Sequence, residues 1–76
     1  MTKKLLVMTG EELVRVLERL GFAARRQRGS HLHMFREVDR KRVTVPVHKG
    51  RDIPNATLRS ILRDAEISPE DLRNLI

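Results

Sequence analysis

The chain has 76 residues, a formal net charge of +6, no cysteine and only two aromatic residues. This length predicts one domain over residues 1–76 with a modest core, which excludes a large buried cofactor or a second substrate domain. The lack of cysteine excludes disulfides, thiolate zinc sites and a thiol nucleophile. The longest apolar run, residues 5–8, is too short to span a bilayer and no cleavage site follows it, so we expect a soluble, cytoplasmic protein.

The positive charge is concentrated in the middle of the chain. Between residues 15 and 51 there are eleven Lys or Arg residues and three carboxylates, whereas from residue 52 onward there are three arginines and five carboxylates. A basic block inside a folded domain is typical of a protein that binds a polyanion, and nucleic acid is the commonest such partner. A solvated basic surface without a ligand is the alternative interpretation.

The first predicted element is a helix over residues 10–20. Thr9 precedes apolar residues at helical spacing, and Glu12 follows it by three positions, which is the capping-box arrangement. Gly21 suits the left-handed position that ends many helices, and Phe22 is placed to pack beyond it. Residues 1–8 then form an N-terminal extension to a core over residues 9–66.

Three short strands are predicted next, over residues 22–28, 31–37 and 42–47, with a turn at Gly29-Ser30 and a polar hairpin tip at residues 39–41. In the second strand neither face is cleanly apolar, so the alternation of residues leaves open which face is buried. A bulge in the strand would account for the mixed pattern. One face carries His31, His33 and Phe35, and the other carries Leu32, Met34 and Arg36.

The third strand has a clearer pattern, because Val43, Val45 and Val47 lie on one face. Pro46 lacks a backbone donor, which places this strand at an edge of the sheet or weakens its pairing at the end.

Two helices complete the predicted order. One covers residues 54–65, with Asp52 or Asn55 as its cap, and a short helical turn within residues 67–76 begins at Ser68-Pro69. The order α-β-β-β-α with a short C-terminal helix predicts an α+β fold. We expect a two-layer sandwich in which helices cover one face of a three-stranded antiparallel meander.

The strongest functional signal is the segment Arg25-Arg26-Gln27-Arg28-Gly29-Ser30-His31. Histidine is the only side chain whose ordinary pKa lets it both take and give a proton near neutral pH, and arginine binds phosphate through paired hydrogen bonds. Together they suggest chemistry on a phosphodiester. The alternative is a histidine that merely fits the start of a strand.

Three segments of the chain resemble the HicA family, small mRNA-cleaving toxins of toxin–antitoxin pairs with a double-stranded-RNA-binding-like fold. The first is Gly21-Phe22 at the end of the first helix, followed by Arg26-Gln27-Arg28-Gly29-Ser30-His31. The second is the third strand, with the sequence RVTVPVH at residues 42–48, and the third is the second helix over residues 57–65 with Ile67-Ser68 after it. Their order and spacing cover nearly all of residues 9–68. The chain departs from the family in a slightly longer span between His31 and Val43 and in a hairpin tip at residues 39–41 that lacks the common glycine. It also has Asn55-Ala56 where a glycine is common, and an N-terminal extension.

The resemblance implies that His31 is the single catalytic histidine, in an active-site turn with Gly29 and Ser30, and that a HicB-like antitoxin is the partner protein. His31 would act as the general base on the 2′-hydroxyl of RNA, yielding a 2′,3′-cyclic phosphate and a 5′-hydroxyl without a metal or other cofactor. The sequence does not identify the general acid. The residues expected to hold the phosphates are Arg25, Arg26, Arg28, Arg42, Lys49 and Arg51.

Other interpretations of these residues stay open. His33 shares a strand face with His31, so it can assist it, or the two can join His48 as zinc ligands, although no nearby carboxylate or thiol completes such a site. A non-catalytic double-stranded-RNA-binding module or an adaptor for an acidic protein would use the same basic surface. With Phe22 and Phe35 as the only aromatics, a base-stacking platform is disfavoured, and we expect RNA to be held through its backbone with weak sequence selectivity.

Overall fold

The computed structural model describes residues 7–75. The elements along the chain are helix α1 (Gly10–Arg19), strands β1 (Ala23–Arg28), β2 (His31–Arg36) and β3 (Lys41–Pro46), and helices α2 (Asn55–Ala65) and α3 (Pro69–Leu75). The predicted α+β order is therefore confirmed, while residues 1–6 of the predicted N-terminal extension lie outside the described residues. No helix within residues 7–75 is long and apolar enough to cross a membrane.

Both ends of α1 are formed by the residues that the sequence indicates. The Thr9 hydroxyl accepts a hydrogen bond from the Glu12 amide at 3.2 Å, and the Thr9 amide donates to the Glu12 carboxylate at 2.8 Å. At the other end Gly21 has φ +96°, and the Phe22 amide donates to the Leu17 carbonyl at 2.9 Å. This is the Schellman geometry, so α1 stops where the chain must turn into β1.

The sheet has the order β1-β2-β3, and both pairings are antiparallel. β3 is an edge strand, as Pro46 predicts. Pro46 lies opposite His31 and has no N–H to donate, and the next amide, that of Val47, donates to the Ser30 carbonyl at 2.6 Å. The ladder therefore continues beyond the proline up to the hairpin turn that precedes His31.

The inner face of the sheet is the one that carries Met34, which is only 1% exposed. Met34 lies opposite Val43, and Leu32 lies opposite Val45. These residues form one core with the apolar sides of α1 and α2, both of which pack against β3. The core also takes in Met8, Ile67 and Leu72, which flank the range 9–66.

Arg36 is the charged residue of β2 on the inner face, and three contacts explain its position. Its guanidinium donates to the Leu20 carbonyl at 3.0 Å, forms an ion pair with Asp39 at 2.8 Å, and lies with Cζ 4.5 Å from the centre of the Phe22 ring. The charge sits at the end of β2, where these partners replace water, while the stem of the side chain covers apolar surface.

The predicted cap of α2 by Asp52 or Asn55 is wrong. The N-cap position is Pro54, with φ −55° and no side-chain hydrogen bond. Asp52 instead forms a backbone bridge with Thr9, and the Ile53 amide donates to the Met8 carbonyl at 2.8 Å. This pairing keeps the chain extended up to the proline, so the helix cannot begin earlier. The predicted start of α3 is confirmed, since the Ser68 hydroxyl accepts from the Asp71 amide at 3.0 Å.

Gly10 offers a test of how closely α1 approaches the end of β3. A Cβ at this position would collide with the Pro46 carbonyl oxygen and lie 3.0 Å from the Val47 Cα. Glycine to alanine in a helix usually stabilises a protein by about 0.5–1 kcal/mol, but here we expect Gly10→Ala to destabilise it by about 1–3 kcal/mol because backbone must move. Urea unfolding measures the difference.

The matched control is Arg15→Ala at an exposed position of the same helix, for which we expect a change within about 0.5 kcal/mol. A Gly10→Ala protein at least as stable as the parent would contradict the close approach.

The Arg36–Asp39 ion pair predicts an acid-dependent contribution to stability. The hydrogen bond from Arg36 lowers the pKa of the Asp39 carboxyl below its ordinary value. Since folding favours the charged carboxylate, the stabilisation is complete above the ordinary carboxyl pKa and is lost as pH falls through the lowered folded value. We therefore expect Asp39→Asn to be less stable than the parent at neutral pH and equal to it in strong acid, as measured by urea unfolding. Asp64→Asn, at an exposed position of α2, is the matched control for the loss of a surface carboxylate.

Candidate nucleic-acid interface

The face of the sheet turned away from the helices, here called the open face, carries the predicted site. Its members follow from the strand pairing, with Arg28 opposite His31, Arg26 opposite His33, and Arg42 opposite Phe35. The three strands contain no Asp or Glu at all. The arginines of this face therefore have no carboxylate beside them within the sheet, which leaves a strongly positive surface.

The turn before His31 is held from both of its sides. Gly29 has φ +57°, a conformation that side chains disfavour, and a Cβ there would meet nothing within 4 Å, so backbone conformation and not space requires the glycine. The Gln27 amide group donates to the Gly29 carbonyl at 3.1 Å, and the Ser30 carbonyl accepts from Val47. These hydrogen bonds hold the backbone of the turn, and they therefore hold His31 at the start of β2 in place.

His31 is exposed and lies at the end of the central strand. Arg28 is its neighbour on one side and Pro46 on the other. In antiparallel pairs, residues directly opposite each other have Cα atoms about 4.5–5.5 Å apart, so the Arg28 side chain starts next to the imidazole. This end of the sheet combines an exposed imidazole, a guanidinium and the turn at Gly29-Ser30.

A β-bulge gathers the arginines of β1 on the open face. Strict alternation would divide them, with Arg26 and Arg28 on one face and Arg25 on the other. The register shifts between Ala24 and Arg26, and Arg25 is the extra residue. Its guanidinium carbon lies 4.5 Å from the centre of the Phe35 ring, so all three arginines belong to the open face. Sequence reasoning named Arg25 but had no signal for the bulge that turns it to this side.

The remaining predicted phosphate-binding residues divide into two groups. Arg42 lies on the open face, opposite Phe35. Lys49 and Arg51 lie outside the sheet, in the exposed loop between β3 and α2, where the Arg51 amide donates to the His48 carbonyl at 2.9 Å. The structure thus puts His31 and four of the predicted arginines on one face, with Arg28 beside His31 and with Arg25 and Arg42 further along the sheet at Phe35. The two loop residues lie outside this face.

His33 and Thr44 form a pair that the sequence analysis did not connect. The His33 Nδ1 atom lies 2.9 Å from the Thr44 hydroxyl across β2 and β3, and the histidine is half-buried. The pair follows only from the register of the two strands, and this register cannot be read from the sequence. His48 lies in the loop after β3, and within residues 7–75 no three His, Cys, Asp or Glu side chains come together as a possible metal site.

Comparison with known families supplies an independent finding. Residues 10–67 match the model of the HicA toxin of bacterial toxin–antitoxin systems. No curated protein matches the chain. The matched span starts at the first residue of α1 and ends after α2, so it contains all three strands and the whole open face. Because the match covers well over half of the 76 residues, the chain belongs to the HicA toxin family.

Proposed function

We propose that this toxin is an endoribonuclease that cleaves mRNA in the cytoplasm, with His31 as the general base and without a metal ion. The observation that carries the proposal is the position of His31. It is exposed at the end of the central strand, on a face with four arginines and no carboxylate. An imidazole among guanidiniums is suited to proton transfer at a phosphodiester, whose own charge the guanidiniums attract.

The attack on phosphorus uses groups that this face offers. The His31 imidazole takes the proton of the 2′-hydroxyl, the 2′-oxygen bonds to phosphorus, and the bond from phosphorus to the 5′-oxygen breaks as that oxygen takes up a proton from a general acid. Arg28, which lies directly across from His31, would stabilise the charge that develops on the phosphoryl oxygens, and the Gly29 and Ser30 amides would add to this stabilisation. The products are a 2′,3′-cyclic phosphate and a 5′-hydroxyl.

The same face supports binding through the RNA backbone. Arg25, Arg26 and Arg42 extend the positive charge along the sheet, and Lys49 and Arg51 continue it into the next loop. Phe35 is the one aromatic residue of the sheet, and the Arg25 guanidinium lies over its ring. A surface rich in cations and poor in free aromatic rings favours contacts with phosphates over stacking on bases, and hence weak sequence selectivity.

An antitoxin would inhibit this site by covering it. A HicB-like partner with an acidic surface complements the open face electrostatically and would exclude RNA from His31. RNA and the antitoxin would therefore compete for one surface.

The first test replaces the proposed base. We expect His31→Ala to slow cleavage of RNA by about 10²–10⁴-fold, the usual contribution of a general base, and to retain RNA affinity because the arginines remain. Single-turnover cleavage of an end-labelled RNA in the presence of a chelator measures the rate and also tests metal independence. His48→Ala, in the loop outside the sheet, is the matched control and should cleave at the parent rate.

Three results would contradict the proposal. Undiminished cleavage and growth arrest by His31→Ala would remove His31 from the chemistry, and loss of the parent activity in chelator would require a metal. RNA binding by the parent without any cleavage would instead identify a non-catalytic RNA-binding module.

The second test concerns phosphate contacts. Single-strand binding loses about 0.7 in the slope of log K against log salt for each phosphate contact that is removed. We expect Arg26→Ala and Arg28→Ala each to weaken binding to unrelated RNA sequences alike and to flatten the slope by about that amount. Arg59→Ala, on an exposed position of α2, should leave affinity and slope unchanged. A flat salt dependence of the parent protein would favour an adaptor for an acidic protein.

A further inference from the structure

The open face holds a second histidine at a defined distance from His31. His33 lies two residues further along β2, so both side chains leave the same face of the strand. A strand rises about 3.3 Å per residue, which places the two Cα atoms about 6.6 Å apart. Two proton carriers at this separation can serve the attacking and the leaving oxygen of one phosphate, since these oxygens lie on opposite sides of phosphorus.

The Thr44 contact determines which nitrogen of His33 is available. The Thr44 hydroxyl lies 2.9 Å from Nδ1, so Nε2 is the nitrogen left for a substrate. A hydroxyl can accept a hydrogen bond from Nδ1–H whether Nε2 carries a proton or a lone pair. The ring can therefore lose and regain a proton at Nε2 without giving up the contact that orients it. His31, by contrast, lies opposite Pro46, which has no hydroxyl or amide proton to offer.

The composition of the sheet leaves His33 as the one further candidate there. The strands contain no Asp, Glu, Cys or Tyr, and their arginines stay protonated at any physiological pH. Lys41, the lysine of the sheet, is tied to Glu66 at 2.8 Å. Apart from His31, His33 is thus the group of the three strands that can give up a proton near neutral pH. Arg26, directly opposite His33, would favour the approach of a phosphate.

We propose that His33 is the general acid of this site and that Thr44 is its positioning residue, an inference that rests on the proposed ribonuclease reaction. As the 2′-oxygen attacks, its proton passes to His31. As the bond from phosphorus to the 5′-oxygen breaks, the Nε2 proton of His33 passes to that oxygen, giving the 5′-hydroxyl. His31 then carries the extra proton and His33 is neutral, and exchange with water restores both.

A change of leaving group tests this role directly. An RNA with sulfur in place of the 5′-bridging oxygen releases a thiolate, which needs no proton to depart. We expect His33→Ala to slow cleavage of ordinary RNA by about 10²–10⁴-fold and to cleave the sulfur-linked RNA within a few-fold of the parent. His31→Ala should be slow on both substrates, and the control His48→Ala should match the parent on both.

Two further variants guard against a loss of structure. His33→Asn places an amide near the position of Nδ1, in reach of Thr44, but an amide N–H is not acidic enough to protonate the leaving oxygen, so this variant should show the same selective loss. Thr44→Val keeps a β-branched residue in the exposed edge strand and should slow only the oxygen-linked substrate, and by less.

The outcomes separate this inference from the proposed function. Equal slowing of both substrates by His33→Ala, or no slowing of either, would overturn the role of His33 while leaving His31 as the base. A parent protein that cleaves neither substrate would overturn the ribonuclease proposal and this inference with it.

Discussion

The burial of Met34 in the middle of β2 sets the orientation of everything else on the sheet. Its side chain is 1% exposed and lies opposite Val43, within the core that α1 and α2 cover. Since successive residues of a strand point to opposite faces, this one burial directs His31 and His33 outward. A register slip of one residue would bury both imidazoles and expose the methionine, so packing and site depend on the same pairing.

Charged side chains have different surroundings on the two sides of the sheet. On the inner side Arg36 is bound to Asp39 and to the Leu20 carbonyl, because a cation near the core needs partners in place of water. Neither this ion pair nor that of Lys41 with Glu66 involves a residue of the open face. There the arginines face solvent and repel one another, a cost that stays small in water and that a bound polyanion would reverse.

The end of the sheet that carries His31 is also the place where distant parts of the chain meet. The first residue of α1, Gly10, lies against the Pro46 carbonyl, and Pro46 lies opposite His31. The amide of the next residue, Val47, donates to the Ser30 carbonyl, and this is the last hydrogen bond between the two strands before the turn. The start of α1 thus packs against the end of the edge strand, and the pairing of that strand holds the proposed active-site turn, which supports the turn in a small domain.

Local signals were enough to predict the capping box of α1, its glycine end, the start of α3, the edge position of β3 and the turn before His31, because each depends on residues a few positions apart. The sequence by itself did not determine which face of β2 is buried, the bulge at Arg25, or the beginning of α2 after the pairing of Asp52 with Thr9. Those features, and the contact of His33 with Thr44 eleven residues away, depend on strand register. Register is decided by burial and pairing across the whole sheet, so only the tertiary structure could settle them.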